Sequence, residues 1–139
     1  MQYNTKNMKR FLLMSIFTAI MALMGCKANS AEKATFNSVD VPEFEKAIAD
    51  TSVVVLDVRT AEEYADGHLA GAINIDVLND DFEKNVKQSI PTGKKVALYC
   101  RSGRRSKKAA SIMAAAGYSV TELATGYLGW TNASKPTTK

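Results

Sequence analysis

A chain of 139 residues, 46% hydrophobic and 23% charged, has the size and balance of one globular domain. Its formal charge of +4 comes from 18 Lys and Arg against 14 Asp and Glu, but Lys6, Lys9 and Arg10 supply three of those cations before residue 26. The remainder holds 15 basic and 14 acidic residues, a net of +1, which gives no electrostatic reason to expect a nucleic-acid partner.

The chain opens on a targeting segment. Lys6, Lys9 and Arg10 precede the apolar run Phe11–Met24, and Leu23-Met24-Gly25-Cys26 closes it. A basic n-region, an apolar h-region and a small residue before a cleavage point make a secretory signal. The run is shorter than the roughly 20 residues that a transmembrane helix needs. Its closing residues resemble the lipobox of bacterial lipoproteins, which implies that Cys26 is acylated and becomes the first residue of a mature chain held on the periplasmic side of a bacterial membrane. The alternative is a plain signal peptide cut near Ala28 or Ala31, leaving a soluble periplasmic protein. Residues 26–34, rich in Ala, Lys, Ser and Asn, read as a tether.

From residue 35 strand and helix signals alternate. A short strand near Phe36–Val39 leads to Asp40, a helix cap, with Pro42 in the first turn and Glu43 at capping-box spacing; Phe44, Ala47 and Ile48 then share one face. Val53–Leu56 is a β-branched run of the kind buried on both faces of a parallel sheet. It ends at Asp57-Val58-Arg59. Thr60 and Glu63 repeat the capping-box spacing and start a short helix through Tyr64 that Gly67 stops. Ala72–Ile75 predicts a short strand, and Asp80–Ser89 a polar helix with Phe82, Val86 and Ile90 at core spacing, ended by Pro91. The strand Val96–Tyr99 delivers Cys100 at its carboxyl end. Behind it Lys107–Ala116 reads as a helix whose Ala109, Ala110, Met113 and Ala114 allow close packing. Val120–Leu123 is the last strand, Gly126–Trp130 a small helical cap, and Ser134–Lys139 reads as a frayed tail. Strands separated by helices predict an α/β fold with a parallel sheet, whose sites lie outside the carboxyl ends of its strands.

Cys100 stands at such an end, followed by Arg101-Ser102-Gly103-Arg104-Arg105-Ser106. Backbone N–H groups of a tight loop, the positive end of a helix and neighbouring guanidinium groups all favour the anion of a thiol. Such surroundings lower a cysteine from near ~8.5 to about 3.5–7.5 and so make a nucleophile. With Cys26 acylated, Cys100 is the only thiol left, and no intramolecular disulfide can form. No Cys/His cluster offers a metal site, and no cofactor is expected.

Leu56-Asp57-Val58-Arg59, Glu63-Tyr64, the run Gly67–Ile75, the Cys100 loop, Gly126 and Trp130 together resemble a single rhodanese domain over residues 35–133. The resemblance implies a five-stranded parallel sheet flanked by helices on both faces, and sulfurtransferase chemistry. In that chemistry a thiolate takes sulfane sulfur from a thiosulfate-like anion and passes it to cyanide, a thiol or a partner protein's cysteine. By position, Cys100 carries the sulfur and Arg101, Ser102, Gly103, Arg104 and Arg105 complete the substrate-binding loop, with Ser106 supporting its geometry. Ser102 stands where some thiosulfate-using members have a second cation, a role that Arg104 and Arg105 are placed to share. Asp57 takes a positioning role, and Arg59 the one of the pair that reaches substrate. His68, the only histidine, falls at a turn that the resemblance places away from the sulfur, and Trp130 in the core or cleft wall.

Three other functions compete. A phosphatase or arsenate reductase of related fold needs an Arg after Cys and five intervening residues, where this chain has Ser106. A non-catalytic rhodanese-like binding module usually lacks the Cys. A thiol-disulfide oxidoreductase needs a resolving Cys nearby.

Overall fold

The computed structural model describes residues 34–139. The expected signal segment, Cys26 and all of the tether except residue 34 lie outside them. Five strands and five helices alternate through the described residues: β1 (Asn37–Val39), α1 (Val41–Ala49), β2 (Val54–Asp57), α2 (Ala61–Asp66), β3 (Ile73–Asn74), α3 (Phe82–Ser89), β4 (Lys95–Tyr99), α4 (Arg104–Ala115), β5 (Ser119–Leu123) and α5 (Gly126–Asn132). The strands form one sheet in the order β1-β5-β4-β2-β3, and every neighbouring pair is parallel. Because β5, β4 and β2 lie side by side, the segments leaving their carboxyl ends converge, and Cys100 emerges between the other two.

Helices cover both faces, as alternation along the strands requires. On one face Leu56, Val96, Leu98, Cys100 and Val120 pack against Phe82, Val86 and Ile90 from α3 and its cap, and against Ala109, Ala110 and Met113 from α4. On the other, Ala97, Tyr99 and Leu123 meet Val41 and Phe44 of α1 and Trp130 of α5. Phe44 and Trp130 form an edge-to-face pair with ring centroids 6.3 Å apart. Burial of side chains this large contributes about 1.5–3 kcal/mol each. The methyl side chains at 109 and 110 are what let α4 lie close enough to the sheet for its first turn to reach the end of β4.

The caps form where the sequence places them. Asp40 Oδ1 accepts from the Glu43 N–H at 3.0 Å. At α2 the box is complete: Thr60 Oγ1 accepts from Glu63 N–H and Glu63 Oε2 from Thr60 N–H.

Two expectations change. The helix after Cys100 begins at Arg104 rather than Lys107, so Arg104, Arg105 and Ser106 form its first turn and the true loop is only Cys100–Gly103. The segment after Ser134 is not frayed: His68 and Thr138 exchange backbone hydrogen bonds at 2.9 and 2.8 Å, and Trp130 Nε1 donates to the Pro136 carbonyl at 2.9 Å. Polar composition suggested a loose end; an unpaired edge at the Gly67-His68 turn supplies the partner that composition cannot reveal.

Candidate active site

The site is a cradle around the Cys100 sulfur. Gly103, with φ +97°, turns the chain so that its N–H points back at Sγ, 3.1 Å away. Only glycine fits: the conformation is left-handed, and a Cβ would sit on the Ala124 carbonyl oxygen. The carbonyls of the same loop point outward and are held there by the first residues of α5. Tyr127 N–H donates to the Cys100 carbonyl at 2.8 Å and Leu128 N–H to that of Arg101 at 3.0 Å. Gly126, with φ +63°, permits this approach, since a Cβ there would lie 2.5 Å from the Arg101 carbonyl and 2.7 Å from that of Cys100. With carbonyls turned out and amides turned in, the loop presents a partial positive charge to one sulfur atom.

Cys100 is 1% exposed. Burial pushes its thiol up, but the Ser106 hydroxyl and the backbone N–H groups of Ser106, Gly103 and Ser102 favour the anion and bring it below its ordinary value. The expected contribution of arginine is accordingly different in kind. Arg101 and Arg104 are exposed and make no ion pair among the described residues, so they face an approaching anion rather than the sulfur itself. Arg105 is committed to Glu63, its two terminal nitrogens each 2.7 Å from a carboxylate oxygen.

Asp57 and Arg59 make a buried pair. Arg59 Nε lies 3.0 Å from both Asp57 oxygens and Nη2 lies 2.6 Å from Oδ2; Nη2 also donates to the Gly67 carbonyl at 2.7 Å. The guanidinium stacks over the Tyr127 ring at 4.2 Å. Arg59 is only 3% exposed. Nε and Nη2 of Arg59 are thus taken up by Asp57 and Gly67, while the side chain stacks on Tyr127, whose N–H holds the Cys100 carbonyl, and still contributes to the wall of the cleft beside the loop. Asn74 Nδ2 donates to the carbonyls of Asp57 and Arg59, closing the segment from the other side. His68 stacks on Tyr64 at 3.7 Å and contacts the Tyr64 carbonyl through Nδ1; none of its hydrogen bonds reaches the loop.

Glu122 is the residue that sequence reading missed. It is fully buried, yet its Oε1 accepts from the Ser106 hydroxyl at 2.5 Å, its Oε2 from Ser38 at 2.5 Å, and Lys107 Nζ lies 3.3 Å away. The one available signal was an acidic residue between Thr121 and Leu123 in a strand flanked on both sides.

Beside the loop is a shallow cleft of about 170 Å³, lined by Arg59, Glu63, Asp66, Gly67, Arg101, Tyr127 and Leu128.

A family model described as a rhodanese-like domain matches residues 40–133. The chain is 35% identical over 92 residues to "Thiosulfate sulfurtransferase 16, chloroplastic" of Arabidopsis thaliana, covering 59% of this chain and 77% of that protein. It is 34% identical over 111 residues to "Thiosulfate sulfurtransferase 18" of the same organism, covering 71% and 81%. A crystal structure of a rhodanese-related protein from Thermoplasma volcanium superposes with a TM-score of 0.65 over 74% of this chain and 98% of that one, at 24% identity, a likeness of fold.

Proposed function

The chain belongs to the rhodanese-like domain family, and on that premise we propose that it is a sulfurtransferase moving sulfane sulfur from thiosulfate or a similar anion to a thiophilic acceptor through a Cys100 persulfide. The observation that carries this reading is the inward-facing amide cradle around a single buried sulfur. The Cys100 thiolate attacks the outer sulfur of thiosulfate. A new S–S bond forms on Cys100, the donor's S–S bond breaks, and sulfite leaves with the bonding pair. Charge gathers on the leaving sulfite, where Arg101 and Arg104 are placed to meet it. The persulfide anion keeps the amide donors of Gly103 and its neighbours. A thiol or cyanide then attacks the outer sulfur and returns the thiolate, so the cycle is ping-pong and covalent.

The loop favours sulfur over phosphate. Phosphate-binding loops of related fold encircle a tetrahedral oxyanion with an additional residue and a gripping Arg; here Ser106 takes that position and Arg105 is tied to Glu63. Intact mass spectrometry after incubation with thiosulfate tests the proposal: wild type should gain one sulfur and Cys100→Ser none. Hydrolysis of an aryl phosphate faster than sulfur transfer would replace it with the phosphatase reading.

We place the enzyme on the periplasmic side of a bacterial membrane, anchored through Cys26. The support for this is the basic and apolar leader ending in Gly25-Cys26, outside the described residues.

A further inference from the structure

Behind the cradle runs a line of polar groups that holding a sulfur atom does not require. Cys100 Sγ contacts Ser106 Oγ at 3.4 Å, and Ser106 Oγ contacts Glu122 Oε1 at 2.5 Å. Ser106 and Glu122 are both fully buried, so neither group exchanges protons directly with water. Buried carboxylates are costly unless they are paired and hydrogen-bonded. Glu122 is held by the Ser38 hydroxyl from β1 and by Lys107 from α4, and one of its oxygens is left directed at the hydroxyl that touches the reactive sulfur. Arg105, also on α4, is paired to Glu63.

We infer that Glu122 is the proton acceptor of Cys100, working through Ser106, so that the thiol and the carboxyl share one proton across three residues. The inference rests on the sulfurtransferase reading only for its purpose. In one arrangement of the free protein S–H donates to Ser106 Oγ and Ser106 O–H donates to the Glu122 carboxylate. In the other, which coexists with it near neutral pH, both bonds reverse. The S–H bond breaks as its proton joins Ser106 Oγ, the former Ser106 proton joins Glu122 Oε1, and the product is a thiolate, an intact hydroxyl and a neutral carboxylic acid. No proton enters or leaves the pair, and every donor and acceptor is satisfied in both arrangements. Loading sulfur fixes the second arrangement, because the persulfide anion needs the Ser106 hydroxyl as donor. Glu122 is thus a positioning and proton-holding residue that never touches substrate.

Lys107 sets the balance from the other side. Its ammonium lies 3.3 and 3.5 Å from the two Glu122 oxygens and 3.2 Å from the Gly103 carbonyl, so it weighs for the carboxylate of the first arrangement against the thiolate of the second.

The test needs no sulfur donor, so it stands or falls apart from the transfer reaction. Infrared difference spectra are recorded between untreated and iodoacetamide-alkylated protein near neutral pH, together with the pH profile of the alkylation rate. Alkylation discharges the Cys100 anion and releases the proton from Glu122; wild type should therefore lose the carbonyl band of a buried carboxylic acid. Glu122→Gln and Ser106→Ala should show no such loss. Glu122→Gln should shift the alkylation profile to lower pH, since its amide still donates to Ser106 and the competing charge is gone; a carboxylate that merely braces Ser106 would share this shift but not the acid band. Ser106→Ala should shift it to higher pH. Cys100→Ser, which leaves Glu122 untouched, should lack the acid band and decides the matter even if Glu122→Gln folds poorly. A wild-type spectrum without the band, or a Glu122→Gln profile unmoved or shifted upward, overturns the relay.

Discussion

Glu63 and Arg105 meet at two points, both 2.7 Å long, and by that contact the first turn of α2 is tied to the first turn of α4. The same Glu63 carboxylate closes the capping box with Thr60, so one side chain sets the start of its own helix and the orientation of the helix that carries the cradle.

This contact predicts a stability that fades in acid. Arg105, with the Thr60 N–H, holds the Glu63 carboxyl down from 4.5 to about 2 although partial burial opposes it. A depressed carboxyl stabilises the fold fully above its unfolded value and loses that contribution as pH falls through the folded one. The affected window runs from 4.5 down to about 2. Arg105→Ala should lower stability at neutral pH by about 1–3 kcal/mol and flatten the decline across that window. Denaturant melts at several pH values check it; an unchanged acid profile would remove the pair from the stability account.

Arg101→Ala should separate donor use from folding. The side chain is exposed at the mouth of the cleft and holds no ion pair among the described residues, so melting should be unchanged. A charge-assisted hydrogen bond worth roughly 1.5–3 kcal/mol corresponds to about ten- to a hundredfold in kcat/KM for thiosulfate. Added salt should slow wild type more than the variant.

Arg59→Ala should do the reverse. Removing one member of a buried pair leaves Asp57 charged and fully buried, at a cost of about 3–5 kcal/mol. Thermal melts should show the loss directly, and activity per folded molecule should fall less than in Arg101→Ala.

Gly126→Ala should strike the cradle. The new methyl would press on the carbonyls of Cys100 and Arg101 and turn their peptide planes, so Cys100 should alkylate more slowly at neutral pH even where the protein remains folded. Alkylation rates measured beside circular dichroism distinguish this from simple unfolding.

The anchor is tested by Cys26→Ala. Wild type should partition into a detergent phase and the variant should accumulate as unprocessed precursor. A water-soluble wild-type form starting downstream of Cys26 would favour the plain signal peptide instead.

Much of the fold was legible because its signals are local. The run Val53–Leu56, the Thr60-to-Glu63 box and the alanines of α4 each declare an element through a spacing of a few residues. Cys100 was legible for the same reason, standing between a strand and a glycine turn. What escaped depends on neighbours distant in sequence. Ser38 sits beside Glu122 only because β1 and β5 pair in that register, 84 positions apart. Nothing near Arg59 in sequence announces Tyr127 and Gly67 as its partners. Arg105 looked like part of the cradle until α2 placed Glu63 against it. The tail after Ser134 looked loose because its partner is a turn at His68.

The depth of Cys100 bears on who can reach it. At 1% exposure Cys100 is withdrawn from bulky oxidants and thiols, which would matter for an unpaired cysteine if the chain is exported as proposed. A disulfide-type bond is about 2 Å long, so in the proposed cycle the outer sulfur of a persulfide would stand that far beyond the atom bearing it. Cargo would be offered while its carrier stayed hidden, and the protein would be most vulnerable to stray chemistry only while it had something to deliver.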